Sequence, residues 1–305
     1  MSAGTPEPLA DLFPGFEARE VETDGAGIFL RTGGMGPPLL LVHGYPQTHV
    51  TWHKVAPALS RHFTLVIPDL RGYGQSSVPA SDPAHFAYSK RAMANDLVQA
   101  MEALGHTRFN LCGHDRGARV SYRLALDHPD RVEKLALLDI VTTLDTWESM
   151  DAAAAMKTYH WPFLAQPHPL PETLIAADPV YYLEHTLASW TKTKSLAAFD
   201  PRALDHYRAF FAKPERIHAC CEDYRAGWTC DREADAADRA AGKRIAAPLL
   251  SIWGDAGIPA GGPSPIDVWR NWADDVRGGP VASGHFLCEE APETASEELL
   301  AFFKG

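Results

Sequence analysis

Short apolar runs alternate with helical patterns over the first half of the chain. Runs typical of strands buried on both faces are predicted at Pro38–Val42, Phe63–Pro68 and Lys134–Ile140. Apolar residues at helical spacing predict a helix over Ser89–Leu104, which Gly105 ends. Strands that alternate with helices predict an α/β fold with a doubly wound, mostly parallel sheet. Ligands of such sheets bind beyond the carboxyl ends of the strands.

The same patterns predict further elements on both sides of these. Two strands flank the turn Asp24–Gly27, and the sheet resumes late in the chain. In chain order these elements are the strands Phe16–Val21 and Ile28–Thr32, the helices Thr51–Leu59 and Arg116–Leu126, the strand Pro248–Trp253, a helix within Pro263–Ala273, and the closing helix Pro292–Phe303.

The alternation of strands and helices stops after Ile140. Residues 141–244 are rich in Trp, Tyr, His and Pro, and they have helical patches without a clear strand. The strand pattern returns at Pro248. The sequence therefore predicts two domains, an α/β core of residues 1–140 and 245–305 and an inserted helical cap of residues 141–244.

Composition narrows the classes of function. With 305 residues, 46% of them hydrophobic, the chain can bury a sizeable core. A formal net charge of -11 argues against nucleic acid or an anionic membrane as a partner. An anionic substrate would therefore have to be held by local positive charge.

The lack of a recognisable targeting signal and the pattern of cysteines both indicate a cytoplasmic protein. No apolar run is long enough to span a bilayer, and the N-terminal residues lack the basic and apolar regions of a signal peptide. The five Cys residues form no Cys-x-x-Cys motif, which indicates reduced thiols. We therefore expect a cytoplasmic protein.

Candidate chemistry centres on an aspartate flanked by glycines. Gly113 and Gly117 enclose Asp115 between an apolar strand and a helical run, which is the pattern of a strand-to-helix elbow that presents a nucleophile. A carboxylate is a poor acyl-transfer nucleophile, but it can displace a leaving group from saturated carbon and form an ester that water hydrolyses. The pattern therefore predicts an alkyl halide or an epoxide as substrate. Taken alone, such a spacing of glycines also arises by chance.

Two further motifs strengthen the elbow interpretation. His43-Gly44-Tyr45-Pro46 follows a predicted strand, and Ser283-Gly284-His285 lies near the C-terminal end, in the chain order nucleophile, acid, histidine. In an elbow fold, the first loop and the residue after the nucleophile each donate a backbone N–H to an oxyanion. The sequence assigns these donors to Tyr45 and Arg116. An ordinary Gly-Pro turn is the alternative for the first motif.

His285 is the predicted general base. It would deprotonate the water that hydrolyses the ester, so activity should fall below its pKa, about 6.5 if unperturbed. Two carboxylates compete to orient this histidine, Asp139 after the strand that follows the elbow and Asp255 after the next strand. The second region is the more usual place for the acid, but the common Gly-x-x-Asp spacing there ends at Gly257. We favour Asp139 and keep Asp255 as the alternative.

Arg116 and Arg119 indicate the charge of the substrate. They lie three residues apart at the start of the predicted helix, so their side chains share one face. A guanidinium group matches a carboxylate in bidentate geometry. Two such groups beside Asp115 would offset the repulsion between its carboxylate and an anionic substrate. The alternative is that one arginine pairs with a structural acid such as Asp130.

Taken together, these motifs resemble those of the fluoroacetate dehalogenases of the α/β-hydrolase superfamily. The resemblance runs over nearly the whole chain and includes segments outside the general signatures of the fold. The matching segments are His43-Gly44-Tyr45-Pro46-Gln47-Thr48, Gly113-His114-Asp115-Arg116-Gly117-Ala118-Arg119-Val120-Ser121-Tyr122-Arg123, Tyr159-His160-Trp161, Cys221-Glu222-Asp223-Tyr224-Arg225-Ala226-Gly227 and Ser283-Gly284-His285-Phe286.

The resemblance implies an α/β-hydrolase fold with a helical cap, and it implies specific roles. Asp115 would be the nucleophile, His285 the base and Asp139 its acid, while Arg116 and Arg119 would hold the carboxylate of a small haloacid. A halide pocket is implied for three residues of the cap, His160, Trp161 and Tyr224. No cofactor and no metal ion is implied, and a homodimer is expected. Asp255 departs from the family pattern, which lacks an acid there.

The implied halide pocket also agrees with the chemistry of fluoride. Fluoride is small and strongly hydrated, so its departure needs several hydrogen-bond donors, and all three side chains are donors. Preorganised donors contribute about 2.7–4 kcal/mol each in comparable sites. The alternative is that a His-Trp pair in a cap serves only packing.

The predicted reaction is hydrolytic defluorination of fluoroacetate to glycolate through an ester on Asp115. An epoxide hydrolase is the first alternative, but it needs cap tyrosines to protonate the epoxide oxygen, and the arginine pair favours a substrate with a carboxylate. The second alternative is a non-catalytic binding protein that retains the pocket. An esterase is disfavoured because the elbow has neither Ser nor Cys.

His49 and His53 lack a third ligand, so no metal site is predicted.

Overall fold

The fold is built around a single sheet. The structure is a computed structural model, which describes residues 8–259 and 263–305. Within those residues the sheet has eight strands in the order β1-β2-β4-β3-β5-β6-β7-β8. Its strands are β1 Glu17–Glu22, β2 Gly27–Gly34, β3 Pro38–Val42, β4 Thr64–Pro68, β5 Phe109–His114, β6 Val132–Leu138, β7 Leu249–Gly254 and β8 Val276–Val281. β2 pairs antiparallel with β1 and β4, and all other pairs are parallel. The predicted mostly parallel α/β sheet is confirmed.

Helices cover the sheet and fill the segment between β6 and β7. They are α1 Ala56–Leu59, α2 Lys90–Ala103, α3 Asp115–Asp127, α4 Thr143–Glu148, α5 Ala152–Lys157, α6 His160–Leu164, α7 Leu170–Ala176, α8 Pro179–Trp190, α9 Pro201–Phe211, α10 Pro214–Trp228, α11 Cys230–Ala240, α12 Pro265–Arg270, α13 Leu287–Glu290 and α14 Pro292–Lys304. Among residues 8–259 and 263–305, no helix combines the length and the apolar character needed to cross a membrane.

The segment between β6 and β7 is helical, as the sequence predicts. Its described elements are α4 to α11, and the segment contains no strand. Its contacts with the rest of the protein include a hydrogen bond of 2.8 Å from the Tyr207 hydroxyl to Glu289. The division into core and cap domains at residues 141 and 244 stays a prediction.

The sequence prediction is wrong at three places. The predicted helix Thr51–Leu59 is instead a 3-10 turn at His49–Trp52 followed by α1, which begins beside Pro57, because proline starts a helix more readily than it continues one. β8 was not predicted, since Val-Arg-Gly-Gly-Pro-Val has neither an apolar run nor alternation. Such a strand is tolerated at the edge of a sheet. The short helix α13 was not predicted either.

The parallel strands bring the predicted site residues to one edge of the sheet. Tyr45 follows β3, Asp115 follows β5, Asp139 follows β6 and His285 follows β8. The carboxyl ends of parallel strands lie at the same edge, which is where ligands bind in this class of sheet. Residues far apart in the sequence therefore meet there.

Gly117 lets α3 lie directly against β3. A Cβ atom at this position would lie 2.1 Å from the His43 carbonyl oxygen and 2.4 Å from that of Val42. These are backbone atoms of the sheet, so they cannot move aside easily. The glycine therefore fixes the distance between the sheet and the helix that begins with Asp115.

We expect Gly117→Ala to destabilise the protein by about 1–3 kcal/mol, because the added methyl group forces α3 away from β3. Urea denaturation measures this change. Gly279→Ala is the matched control, since a Cβ at Gly279 meets no atom within 4 Å. We expect the control to change stability by less than about 0.5 kcal/mol. Equal unfolding midpoints for the two variants would contradict the packing argument.

Candidate active site

Asp115 occupies a strained position between β5 and α3. Its φ is 49°, in the left-handed region that residues with a side chain rarely adopt. The carboxylate is buried, and its Oδ1 accepts a hydrogen bond of 2.8 Å from the backbone N–H of Tyr45. A Cβ at Gly44 would lie 2.7 Å from the same oxygen, so glycine is needed there. Strain of this kind occurs mainly at functional sites.

The Asp115 carboxylate stays ionised although it is buried. Burial alone would raise its pKa. Electrostatic interactions outweigh burial and lower the pKa below its ordinary value, and in order of effect they come from His285, His114, Arg116 and Arg119. The charges of both arginines therefore help to keep the carboxylate ionised. A buried, charged carboxylate without a shared proton is available as a nucleophile.

His285 lies between two carboxylates. Its Nδ1 donates a hydrogen bond of 2.5 Å to Oδ2 of Asp139, and its Nε2 lies 3.6 Å from Oδ2 of Asp115. Nε2 is buried and has no hydrogen-bond partner within residues 8–259 and 263–305. Because Nδ1 donates to Asp139, Nε2 of the neutral imidazole faces Asp115 as an acceptor.

Asp139 is itself fixed by the backbone. Its Oδ1 accepts from the N–H of Gly254 at 2.8 Å, and its Oδ2 accepts from that of Ile258 at 2.9 Å. Asp255, the alternative acid, instead forms an ion pair of 2.7 Å with Lys192 and is about half exposed. Of the two candidates, Asp139 is the one in contact with His285.

The pKa of His285 reflects these neighbours. Burial alone would lower it, because burial disfavours the imidazolium form. The hydrogen bond and charge of Asp139, with a further contribution from Asp115, raise the pKa above its ordinary value. The site can therefore hold a proton on His285.

Two further residues, His114 and Trp190, hold the His285 backbone. Nε2 of His114 donates to the His285 carbonyl oxygen at 2.8 Å, and the His285 N–H donates to the Trp190 carbonyl oxygen at 2.9 Å. Burial lowers the pKa of His114 to about 4, so it is neutral and can make this bond. His114 precedes the nucleophile in the elbow motif, but its partner is distant in sequence and no sequence signal reveals it.

Arg116 has a structural partner that the sequence interpretation did not anticipate. Its Nε and Nη2 donate to the carboxylate of Asp223 at 3.0 and 2.7 Å, and Nη2 also donates to the Asp223 carbonyl oxygen. The alternative that one arginine pairs with a structural acid holds for Arg116, but the acid is Asp223 of α10 and not Asp130. Nη1 of Arg116 is buried and has no hydrogen-bond partner in the described part of the chain.

Arg119 is held by neutral oxygen atoms. Its Nη1 donates to the Val141 carbonyl oxygen at 2.9 Å and to the Thr143 hydroxyl at 3.5 Å, and its Nη2 donates to the Thr146 hydroxyl at 3.4 Å. Asp130, the suggested alternative partner, is not among its contacts. The positive charge of Arg119 is therefore not neutralised by an acid in an ion pair within residues 8–259 and 263–305.

Three aromatic side chains of the cap segment meet above the elbow. The ring centroid of Tyr224 lies 5.7 Å from that of His160 and 6.0 Å from that of Trp161. The Tyr224 hydroxyl and both ring nitrogens of His160 are buried without a partner among the described residues. Burial lowers the pKa of His160 to about 3, so it is a neutral donor. Unpaired buried donors are costly unless a ligand satisfies them.

A cavity lies beside two of the predicted site residues, and Asp115 and His285 are not in its lining. It has a volume of about 750 Å³ and is lined by Arg119, Asp139 and Lys157, together with other residues of the segment from Ile140 to Thr158 and of the loop after β7. Two of the predicted site residues are therefore in contact with a cavity large enough for a small acid.

One group of side chains could hold a metal ion. Ligand atoms of His168, Glu172 and His218 lie within 4.8 Å of one another, a cluster that the sequence spacing does not reveal. However, Nη1 of Arg225 lies 2.7 Å from the same Glu172 oxygen that both histidines approach. The guanidinium already satisfies this carboxylate, so a hydrogen-bond network accounts for the cluster.

We expect Asp139→Asn to lower the pKa of His285. Burial lowers this pKa, and the variant removes the carboxylate that raises it. NMR titration of the imidazole measures the shift. Asp255→Asn is the matched control and should leave this pKa unchanged, since Asp255 is paired with Lys192. An equal shift in both variants, or none in Asp139→Asn, would contradict the assignment of Asp139 as the partner.

Comparisons with known proteins agree with this geometry. Residues 37–292 match the family model described as alpha/beta hydrolase fold. The chain is 43% identical to a fluoroacetate dehalogenase from Burkholderia sp over 95% of each chain. It is 32% identical to a soluble epoxide hydrolase from Corynebacterium sp. (strain C12), over 89% of this chain and 92% of that protein. The solved structure of ALR0039 from Nostoc sp PCC 7120 superposes with a TM-score of 0.92 at 51% identity, covering 94% of this chain and 98% of that one. The chain therefore belongs to the α/β-hydrolase family and, within it, to the fluoroacetate dehalogenases, and it is a hydrolase.

Proposed function

We propose that this hydrolase removes the halide from a haloacetate, converting fluoroacetate and water to glycolate and fluoride through an ester on Asp115. The observation that carries the proposal is a buried Asp115 carboxylate that two arginines help to keep ionised, in a protein that also buries unpaired donors on His160 and Tyr224. The 43% identity to a fluoroacetate dehalogenase supports the same substrate class. In this proposal each site residue has the role that the sequence predicts for it.

Substrate binding uses the two arginines. The free Nη1 of Arg116 and the guanidinium of Arg119 receive the substrate carboxylate, which offsets its repulsion from Asp115. Arg119 also packs against Trp161, with its Cζ 4.4 Å from the ring centroid. This stacking keeps the guanidinium in one orientation. The CH2 carbon of the substrate is thereby presented to the nucleophile.

The first chemical step is a displacement at saturated carbon. A carboxylate oxygen of Asp115 forms a bond to the CH2 carbon while the carbon–fluorine bond breaks, and both bonding electrons leave with fluoride. His160, Trp161 and Tyr224 donate hydrogen bonds to the departing ion. Their N–H and O–H groups need no reorganisation, since the unpaired donors of His160 and Tyr224 are already desolvated in the folded protein.

The second step hydrolyses the ester. Nε2 of neutral His285 takes a proton from water, and the resulting hydroxide attacks the ester carbonyl carbon of Asp115. The Tyr45 N–H, already 2.8 Å from Oδ1, stabilises the oxyanion, and the Arg116 backbone N–H is the second proposed donor. The bond from the carbonyl carbon to the glycolate oxygen then breaks. The proton on His285 passes to the glycolate oxygen, and the oxygen from water stays in Asp115. The remaining proton of that water is then released from the Asp115 carboxyl group, which restores the carboxylate.

An epoxide hydrolase remains the second candidate, because a relative of that name is 32% identical over most of the chain. The same Asp115 elbow would open an epoxide. The positive charges of Arg116 and Arg119 favour an anionic substrate instead. Halide release from fluoroacetate and chloroacetate, compared with diol formation from a small panel of epoxides, distinguishes the two. A protein that binds these compounds without turnover would support a binding function.

The homodimer and the cytoplasmic location also stay predictions. Exposed apolar side chains on the adjacent helices α7 and α8, namely Leu170, Leu174, Val180 and Tyr181, support an interface between two copies. Light scattering of the purified protein measures the oligomeric state.

We expect His285→Asn to stop after the first step, because the variant retains the nucleophile but has no base for water. Incubation with fluoroacetate should release one fluoride per site and leave a carboxymethyl group on the peptide that contains Asp115, detected by mass spectrometry. The matched control is the double variant Asp115→Asn/His285→Asn, which should not be modified. An unmodified Asp115 peptide in His285→Asn, together with turnover by the wild type, would contradict the ester mechanism.

We expect Tyr224→Phe to lower kcat for fluoroacetate about a hundredfold, because one preorganised donor to the leaving ion is lost. The effect on chloroacetate should be smaller, since chloride is larger and depends less on hydrogen bonds. Ion-selective electrodes measure both rates. Tyr181→Phe makes the same change at an exposed cap tyrosine and should leave both rates unchanged. Equal losses for the two halides would argue against Tyr224 as a fluoride donor.

A further inference from the structure

A buried carboxylate of the cap segment, Asp223, is surrounded by donors from the other part of the chain. Oδ2 accepts from Nε of Arg116 at 3.0 Å and from the Tyr73 hydroxyl at 2.7 Å. Oδ1 accepts from Nη2 of Arg116 at 2.7 Å and from Nζ of Lys90. Tyr73 follows β4, Lys90 opens α2 and Arg116 lies in α3. Asp223 thus joins α10 to three separate segments.

The charges in this cluster are maintained despite burial. Asp223 and Arg116 are fully buried and Lys90 is nearly so. Burial alone would raise the pKa of Asp223, but Arg116 and Lys90 hold it far below its ordinary range. A buried ion pair of this kind adds little net stability over apolar packing. The cluster is therefore better understood from the way in which it orients Arg116 than from its contribution to stability.

Asp223 and its neighbours on α10 hold the Arg116 guanidinium on several sides. The carboxylate and the carbonyl oxygen of Asp223 occupy Nε and Nη2, and the ring of Tyr224 covers one face, with Cζ 4.2 Å from its centroid. A Cβ at Gly227 would lie 3.1 Å from Nη2, so a larger residue there would press on the guanidinium. Nη1 is the nitrogen that remains without a partner among the described residues.

We propose that Asp223 is a positioning residue that orients Arg116 so that Nη1 receives the carboxylate of the substrate. This inference rests on the proposed function, in which Arg116 binds that carboxylate. The bidentate contact fixes the plane of the guanidinium, and the plane fixes where the free N–H groups point. The cap segment therefore contributes to the carboxylate site through Asp223 as well as to the halide pocket through Tyr224.

The variant Asp223→Asn separates positioning from simple electrostatics. Removing a negative charge beside Arg116 makes the site more positive, which by itself would tighten the binding of an anion. Loss of orientation would weaken the binding. The two explanations therefore predict opposite signs for the change in carboxylate affinity.

The probe is acetate, an inert carboxylate, and its Kd is measured by isothermal titration calorimetry. We expect Asp223→Asn to raise this Kd about tenfold and to raise KM for fluoroacetate by a similar factor, with a smaller change in kcat. The matched control is Asp231→Asn, which alters a buried acid that contacts Lys90 but not Arg116. The control should leave both constants unchanged. An unchanged or lower Kd for acetate in Asp223→Asn overturns the inference.

A second variant covers loss of folding. The double variant Lys90→Met/Asp223→Asn also removes the neighbouring positive charge, so no lysine is left buried without a partner. We expect acetate binding by this variant to weaken about tenfold as well. Acetate binding also separates this inference from the proposed function. A wild type that binds acetate but releases no halide from haloacetates contradicts the proposed function and leaves the test of Asp223 valid. A wild type that binds no acetate overturns the inference.

Discussion

The structure depends on keeping one ionised carboxylate, that of Asp115, inside the protein. Desolvation opposes the charge, and the elbow adds backbone strain at the same residue. A hydrogen bond from the Tyr45 N–H and electrostatic interactions with His285 and the arginines favour the charged form and offset the desolvation cost. Such an arrangement keeps a nucleophile desolvated and charged, which suits displacement at saturated carbon rather than acyl transfer.

The two parts of the chain supply different kinds of group to this site. The loops after the parallel strands provide the groups in direct contact with one another, Asp115, Asp139 and His285. The helical segment provides neutral donors, His160 and Tyr224, and the acid that holds Arg116. Under the proposed function, the first set of groups is the reactive centre and the second set selects the leaving group and the anion.

The chain has relatives with two different activities. A fluoroacetate dehalogenase and an epoxide hydrolase both match most of the chain, at 43% and 32% identity. An aspartate elbow with a histidine can in principle serve either leaving group, because each reaction forms and then hydrolyses an alkyl ester. In the proposed function, the charge and the donors around the elbow separate the substrates, and this role falls to Arg116, Arg119 and the aromatic residues His160, Trp161 and Tyr224.

The sequence by itself determined most of the sheet, the elbow and the candidate site residues that meet at its edge. Apolar runs such as Pro38–Val42 and the glycines around Asp115 are local patterns that allow few other structures. Local patterns could not select Asp139 over Asp255, reveal β8, or pair Arg116 with Asp223. Those outcomes depend on which distant segments pack together and on how burial changes the cost of a charge, and only the tertiary structure decides them.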